Sequence, residues 1–276
     1  MKSEKDFDIS IVTVGMNHLQ YLKELFPSIY RAGNHIYSYE VIYVDNCSTD
    51  GSVDYISANF PLVKIIANNN PSGFGENNNK GAKEASGKYI AIINPDIVLK
   101  EDALQQLFLY SEKYTTDAVI APKLLNPDLT TQHSVRSFMT LSIFLNRLIT
   151  KGNDQTENST VKNYLCKTMD YSKTQTIDWA IGAALFMPTL VYKKLGGFDE
   201  DYFLYVEDED FCLRAWRSGF SVIYFPKSEM IHNHLRASRK LGKKALMHLK
   251  SRFTFFIKHG ISVKREKNDL HEEAYV

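Results

Sequence analysis

The chain has 276 residues, 44% hydrophobic and 24% charged, the profile of a soluble globular protein long enough for one large domain. Its 33 Lys and Arg balance 32 Asp and Glu, which excludes a general polyanion-binding role and argues against a nucleic-acid partner. Three scattered cysteines exclude a disulfide framework or a zinc site, residues 1–8 are too polar for a signal peptide, and no run reaches the roughly 18 apolar residues of a membrane span, so a reducing, cytoplasmic setting is expected.

In chain order, Ile9-Ser10-Ile11-Val12-Thr13-Val14 is a β-rich run closed by Gly15, which predicts a buried parallel strand. Leu19, Leu22, Leu25, Phe26 and Ile29 recur at helical spacing and predict an amphipathic helix. A second strand over 39–44 runs into Asp45-Asn46-Cys47-Ser48-Thr49-Asp50-Gly51. A helix over 53–60, a strand over 63–67, a polar loop over 68–75 and a short helix over 77–86 follow. A fourth strand, 89–93, is stopped by Asn94-Pro95-Asp96, and a helix is expected over 101–113. This alternation predicts an α/β fold with a doubly wound, mainly parallel sheet flanked by helices.

After a run at 118–122 the regularity fades, with a helix over 141–149 and a loop over 152–160. It resumes at Ile177-Asp178-Trp179 and an apolar run over 183–187, and Gly196-Gly197 turns the chain. Phe203-Leu204-Tyr205-Val206 leads into Glu207-Asp208-Glu209-Asp210. A helix over 211–217, a strand over 221–225, His232 and His234, and a basic helix over 238–258 complete the chain, which reads as one domain with a variable middle.

The polar segments that follow the early strands carry the first chemical signal. In a doubly wound sheet such tips line one edge and surround a shared crevice. Asp45 and Asn46 can meet a planar base edge, although turn and helix-cap chemistry is the ordinary use of such a segment. Gly73-Phe74-Gly75 lacks the third glycine and the first-turn position of a dinucleotide fingerprint, which excludes a Rossmann dehydrogenase. Pro95 cannot donate to a sheet ladder and holds Asn94 extended, so Asp96 sits at a strand tip. Asp96 either caps the next helix or, with His232, holds Mg²⁺ or Mn²⁺ on a diphosphate. Four adjacent acids exceed what a helix dipole explains, because neighbouring carboxylates repel, and a raised pKa there suits a general base.

With these positions in hand the chain resembles glycosyltransferase family 2, the inverting GT-A enzymes, and within it the bacterial rhamnosyltransferase-type members. The match rests on Ser10-Ile11-Val12 with Asn17, Val44-Asp45-Asn46-Cys47-Ser48-Thr49-Asp50-Gly51-Ser52, Gly73-Phe74-Gly75 with Asn78-Asn79-Lys80-Gly81, and Asn94-Pro95-Asp96. Its later half is Asp178-Trp179 with Gly182-Ala183, Gly196-Gly197-Phe198-Asp199-Glu200, Phe203 through Arg214, and Ile231-His232. The resemblance implies a single GT-A domain over 1–276: a nucleotide-sugar half over about 8–122, an acceptor and catalytic half over about 123–235, and a C-terminal helical segment over about 236–276.

It implies that Val14, Asn17, Asp45, Asn46, Gly73, Asn78, Asn94 and Asp96 bind a dTDP- or UDP-sugar, and that Asp96 and His232 hold Mg²⁺ or Mn²⁺. It further implies that Trp179, Gly182 and Ala183 line the acceptor and sugar pocket, with Asp208 as general base beside Glu207. The acceptor would be a glycan or lipid-linked glycan in bacterial surface polysaccharide synthesis, and a homo-oligomer is compatible with it. Two departures stand out: Asn94 replaces the first aspartate of the common Asp-x-Asp, and Gly15-Met16-Asn17 replaces Thr-Tyr-Asn.

Two other classes compete. A nucleotidyltransferase would carry a Gly-rich, Lys/Arg-containing loop after the first strand, which Gly15-Met16-Asn17-His18 is not. An inactive sugar-nucleotide or glycan-binding relative conflicts with the intact Glu207-Asp208 pair. At the C-terminal end, Arg239, Lys240, Lys243, Lys244, Lys250 and Arg252 accompany Leu241, Leu246, Leu249, Phe253 and Phe256. Such a helix either packs on the domain with a solvated basic face or lies peripherally on the inner face of the cytoplasmic membrane.

Overall fold

The computed structural model describes residues 7–31, 36–114, 117–233 and 243–265. In chain order the elements are β1 (Ile9–Gly15), α1 (Leu19–Tyr30), β2 (Tyr39–Asp45), α2 (Ser52–Asn59), β3 (Lys64–Ala67), α3 (Phe74–Lys83), β4 (Tyr89–Ile93), β5 (Ile97–Leu99) and α4 (Ala103–Tyr114). Then come β6 (Val119–Leu125), β7 (Val135–Arg136), α5 (Leu141–Ile149), α6 (Ser159–Tyr164), β8 (Gln175–Thr176), β9 (Trp179–Ala180) and β10 (Ala184–Pro188). The last are α7 (Thr189–Lys194), α8 (Glu207–Arg217), β11 (Val222–His232) and α9 (Lys243–His259).

The main sheet runs β3-β2-β1-β4-β10-β6-β11-β5, with β8 against β11. Its first four strands are parallel, as the strand–helix alternation predicts. Strand β10 then inserts antiparallel between β4 and β6, which makes the second half mixed. Successive side chains alternate between two apolar layers. Val12, Ile90 and Ile92 join one layer, while Ile11, Tyr89, Ala91 and Ile93 join the other. Helices α1, α2 and α4 cover the second layer through Leu22, Leu25, Ile56 and Leu107. Helices α3, α7, α8 and α9 cover the first through Ala82, Val191, Phe211 and Phe255. Both faces are covered, so the parallel strands read as unbroken apolar runs.

Register positions the site. Gly15 pairs with Asp45 and Asp45 with Ala67, so three strand ends lie level at one edge. Ala184 pairs with Ile93, which puts the start of β10 at that same edge. Ile97 pairs with His232, which puts the end of β11 beside Asp96.

Several elements differ from the sequence expectation. Helix α8 begins at Glu207 rather than 211, so the four acids form its first turn. The strand expected over 221–225 continues to His232, with a register shift between Phe225 and Glu229. Helix α6 begins inside the expected loop, capped by the Asn158 side chain. Strand β5 is only three residues long, below what periodicity can detect. Residues 238–242 of the expected basic helix, with His234, Arg239, Lys240 and Leu241, lie outside the described residues, and α9 begins at Lys243.

Candidate active site

The first corner of the site is built by Asn94-Pro95-Asp96 and the end of β11. His232 is 3% exposed and its Nε2 lies 3.5 Å from Asp96 Oδ2. The backbone N–H of Asn233 donates to the Asp96 carbonyl at 2.8 Å and locks the two segments together. Gln132, on the loop after β6, orients the imidazole. Its amide nitrogen donates to Asn126 Oδ1, so its oxygen faces His232 Nδ1 at 2.6 Å. A carbonyl oxygen only accepts, so Nδ1 carries the proton and Nε2 is turned toward Asp96.

Asp96 Oδ1 is buried without a hydrogen-bond partner among the described residues. A buried orphan carboxylate oxygen beside a pre-oriented imidazole fits a divalent cation, since hard oxygen and imidazole together suit Mg²⁺ or Mn²⁺. No group of three or more His, Cys, Asp or Glu forms a cage among the described residues, so further ligands would come from a diphosphate and water.

The second corner is the first turn of α8. Tyr205 and Val206, just before it, hold φ of 69° and 75°, a left-handed conformation that is strained for non-glycine residues and especially for a β-branched one. The four acids then diverge. Glu209 accepts from Arg252 of α9 at 2.7 Å and from the Met139 backbone at 2.6 Å. Asp210 meets Arg214 at 2.7 Å and His259 at 2.6 Å. Burial pushes the Asp210 carboxyl up, but His259 and Arg214 outweigh it and hold it below its ordinary value.

Among the described residues Asp208 instead accepts only backbone donors, Gly182 N–H and Glu209 N–H, both at 2.9 Å. Burial raises its pKa despite those bonds. Glu207 is raised well above its ordinary value by burial and by the Asp208 charge, and its Oε2 has no partner among the described residues. A side chain at Gly182 would crowd Asp208, because an added Cβ would sit 3.1 Å from the Asp208 Cβ.

The two corners meet at the start of β10. Asn94 N–H donates to the Ala183 carbonyl at 2.8 Å, while the neighbouring Gly182 N–H holds the Asp208 carboxylate. Two adjacent residues therefore tie the Asp96 turn to α8. A cleft of about 430 Å³ opens alongside, bordered by Gln132, His232, Asn233, Arg136, Lys167 and Ile181. Trp179 is 6% exposed and donates its indole N–H to the Ser137 carbonyl, so it braces the cleft wall from inside the core.

The nucleotide-side candidates occupy the level strand ends. Val14 lies in β1 beside Val44. Asn17, with φ of 55°, receives the Thr49 N–H and donates its own N–H to Ser48, which clamps the β1 and β2 tips together. Asp45 is 3% exposed and accepts from Tyr43 and from Ser48 N–H, which leaves acceptor capacity on its two oxygens. Asn46 is committed at both ends of its amide, accepting from Ser72 N–H and Asn68 and donating to the Ser72 carbonyl. Gly73 lies against Phe203, where an added Cβ would meet the carbonyl at 2.8 Å. Asn78 is buried within α3 and donates to the Phe74 carbonyl. Asn46, Gly73 and Asn78 thus shape the edge, while Asn17 and Asp45 stand at it.

Sequence reasoning did not single out Gln132, and it read Arg252 as part of a surface face. The structure buries Arg252, at 2% exposed, against Glu209. Nothing in the local sequence marks either partner, because both pairings are long-range.

The glycosyl transferase family 2 model matches residues 10–174. A rhamnosyltransferase, WbbL, of Escherichia coli is 29% identical over 93% of this chain and 96% of its own length. An N-acetylglucosaminyl-diphospho-decaprenol L-rhamnosyltransferase of Mycobacterium tuberculosis is 24% identical over 78% of this chain and 73% of its own. Among solved structures, GalNAc-T7 with UDP, GalNAc and Mn²⁺ superposes with a TM-score of 0.62 at 15% identity over 83% of this chain, which spans 44% of that one. S. aureus TarS in complex with UDP gives 0.58 at 17% identity over 95% of this chain and 76% of that one. The fold is that of the GT-A glycosyltransferases, and the chain belongs to glycosyltransferase family 2.

Proposed function

We propose that this glycosyltransferase moves a rhamnosyl or other hexosyl unit from a dTDP- or UDP-sugar to a glycan or lipid-linked glycan acceptor in bacterial surface polysaccharide synthesis, with inversion at the anomeric carbon. The observation that carries this reading is the junction at β10. There Asn94 of the strand-tip turn and Asp208 of α8 bond to neighbouring residues, Ala183 and Gly182. The likeness to proteins named as rhamnosyltransferases supports the sugar.

In the proposed mechanism Asp45 and the Asn17 turn receive the nucleotide at the level strand ends. Asp96 and His232 would hold Mg²⁺ or Mn²⁺, which would supply positive charge to offset that of the departing diphosphate. Asp208 takes the proton from an acceptor hydroxyl in the cleft beside Ile181. The hydroxyl oxygen forms its bond to the anomeric carbon as the bond from that carbon to the diphosphate breaks on the opposite face. Glu207, buried and raised, disfavours a second negative charge beside Asp208.

The test is release of nucleoside diphosphate and transfer of labelled sugar from dTDP-rhamnose and from UDP-sugars with Mn²⁺ present. Transfer from one of these donors, lost in Asp208→Asn with donor binding retained, is the expected result. Near-normal turnover by that variant overturns the base assignment, and pyrophosphate as product would indicate a nucleotidyltransferase.

A further inference from the structure

Helix α5 is strongly apolar yet fully buries none of its residues, with only Ile143 and Phe144 of its apolar side chains packed in part against the core. Its sequence, LSIFLNRLI, leaves Leu141, Leu145, Leu148 and Ile149 exposed at helical spacing, with Ile149 at 77%. Beside it α9 turns Ser251, Arg252, Phe255 and Phe256 inward and leaves Leu246, Leu249, Phe253 and Ile257 outward, with Leu246 at 70% and Ile257 at 84%. The two helices form one ridge. Phe144 packs edge-on against Phe253 and Phe256, and Leu141 N–H donates to the Ile261 carbonyl at 2.9 Å. Of the 17 large apolar side chains exposed among the described residues, nine lie on this ridge, counting Ile261. Single exposed apolar residues need no explanation, but a contiguous set marks a contact surface.

Charge selects the occupant. Residues 141–153 and 243–265 contain nine Lys and Arg and no Asp or Glu. Arg147, Arg252 and Lys258 are spent on Asp154, Glu209 and Asp199. Lys151, Lys250 and Lys264 are exposed and have no ion-pair partner among the described residues. A second copy docked on this ridge by a two-fold axis would bring cationic segment against cationic segment. An anionic bilayer neutralises the lysines and takes up the apolar side chains at its boundary, the pattern of an interfacial amphipathic surface.

We propose that the α5–α9 ridge seats this protein on an anionic phospholipid surface. The ridge is joined to the site itself. Glu209, one residue beyond the proposed base, receives both Arg252 of α9 and the Met139 N–H just before α5. Ser251 also donates to the Leu204 carbonyl on the approach to α8. Docking would therefore hold the acidic helix at a fixed height above the lipid, where a lipid-linked acceptor presents its sugar; that last clause rests on the proposed function.

The test is sedimentation of the full chain with vesicles of phosphatidylglycerol and phosphatidylcholine against phosphatidylcholine alone. Binding is expected only to the anionic vesicles and should weaken several-fold in high salt. Leu148→Ser combined with Ile257→Ser, both surface positions, should lower it by roughly tenfold or more. Donor hydrolysis without vesicles, measured on the same variant, reads the transferase site separately and should stay unchanged. Equal sedimentation with and without phosphatidylglycerol overturns the proposal. So does a dimer in analytical ultracentrifugation that the double variant dissolves, which would assign the ridge to a second copy.

Discussion

The strand-end edge and the first turn of α8 hold acids in opposite conditions. At the edge, Asp45 ends β2 and takes its bonds from its own neighbourhood, Tyr43 and Ser48, with Asn17 and Cys47 beside it also at positive φ. At α8, Glu207 is buried and Asp208 half-buried, both are raised in pKa, one Glu207 carboxylate oxygen is orphaned among the described residues, and two strained residues precede them. Locally satisfied groups make a rigid receptor. Buried acids in a strained turn are costly to fold and persist only where surrounding contacts over-determine them. Arg252, Arg214 and His259 supply those contacts through Glu209 and Asp210. The contrast separates a surface that binds from a turn that can react.

The largest effect is expected at Asp208. Asp208→Asn should lower kcat by about a hundred- to ten-thousand-fold with donor affinity nearly unchanged, measured by steady-state transfer and calorimetric donor binding. The same base sets the pH dependence. Because burial raises its pKa, the deprotonated form accumulates at higher pH than for an ordinary aspartate, so kcat/KM should rise with pH through an upward-displaced limb that is lost in the variant. Folding stability runs the other way for these groups. A carboxyl raised in the folded state stabilises at low pH, and that contribution is lost as pH rises through its folded value, which denaturant titrations at several pH values would detect.

Next is the scaffold behind the base. Arg252→Met leaves Glu209 buried without its ion-pair partner and should cost about 3–5 kcal/mol in chemical denaturation. A loss under about 1 kcal/mol would break the claim that this pair supports the strained turn. Gln132→Leu comes third. Removing the acceptor for His232 Nδ1 should weaken Mn²⁺-dependent donor binding by about 10–100-fold, read by calorimetry with metal titrated at fixed donor. Unchanged metal dependence would remove Gln132 from its orienting role.

The smallest effect distinguishes the two residues at the edge. Asn46→Ala should cost about 1 kcal/mol of stability through the loop it braces, while Asp45→Ala should act mainly on donor affinity. Thermal and binding measurements on both variants would sharpen the division between strut and contact. Equal losses of affinity would return Asn46 to the binding set.

Much of the parallel half was legible because buried strands and amphipathic helices carry their own periodicity, as Ile9 to Gly15 and Leu19 to Tyr30 illustrate. Pro95 marked the turn that exposes Asp96 for a local steric reason. Helix α5 was legible in its bounds but not in its role, since apolar spacing reads the same whether the face is covered or bare. The C-terminal helix was read with Arg252 and Phe256 on the same surface as Leu246 and Phe253. Packing turned the first two inward and left the others out.

The strand–helix alternation of the first 114 residues, the polar tips and the acidic cluster were determined by sequence alone, because each arises from residues near one another in the chain. Which acid bonds to what was decided only by the tertiary structure. Asp208 is selected by Gly182, Glu209 by Arg252 and Met139, Asp210 by Arg214 and His259, and His232 by Gln132. Most of those partners lie far away in the chain and carry no local signal. Register across β10 and β11 brings the two corners together, and a register is a property of paired strands, absent from either strand read singly.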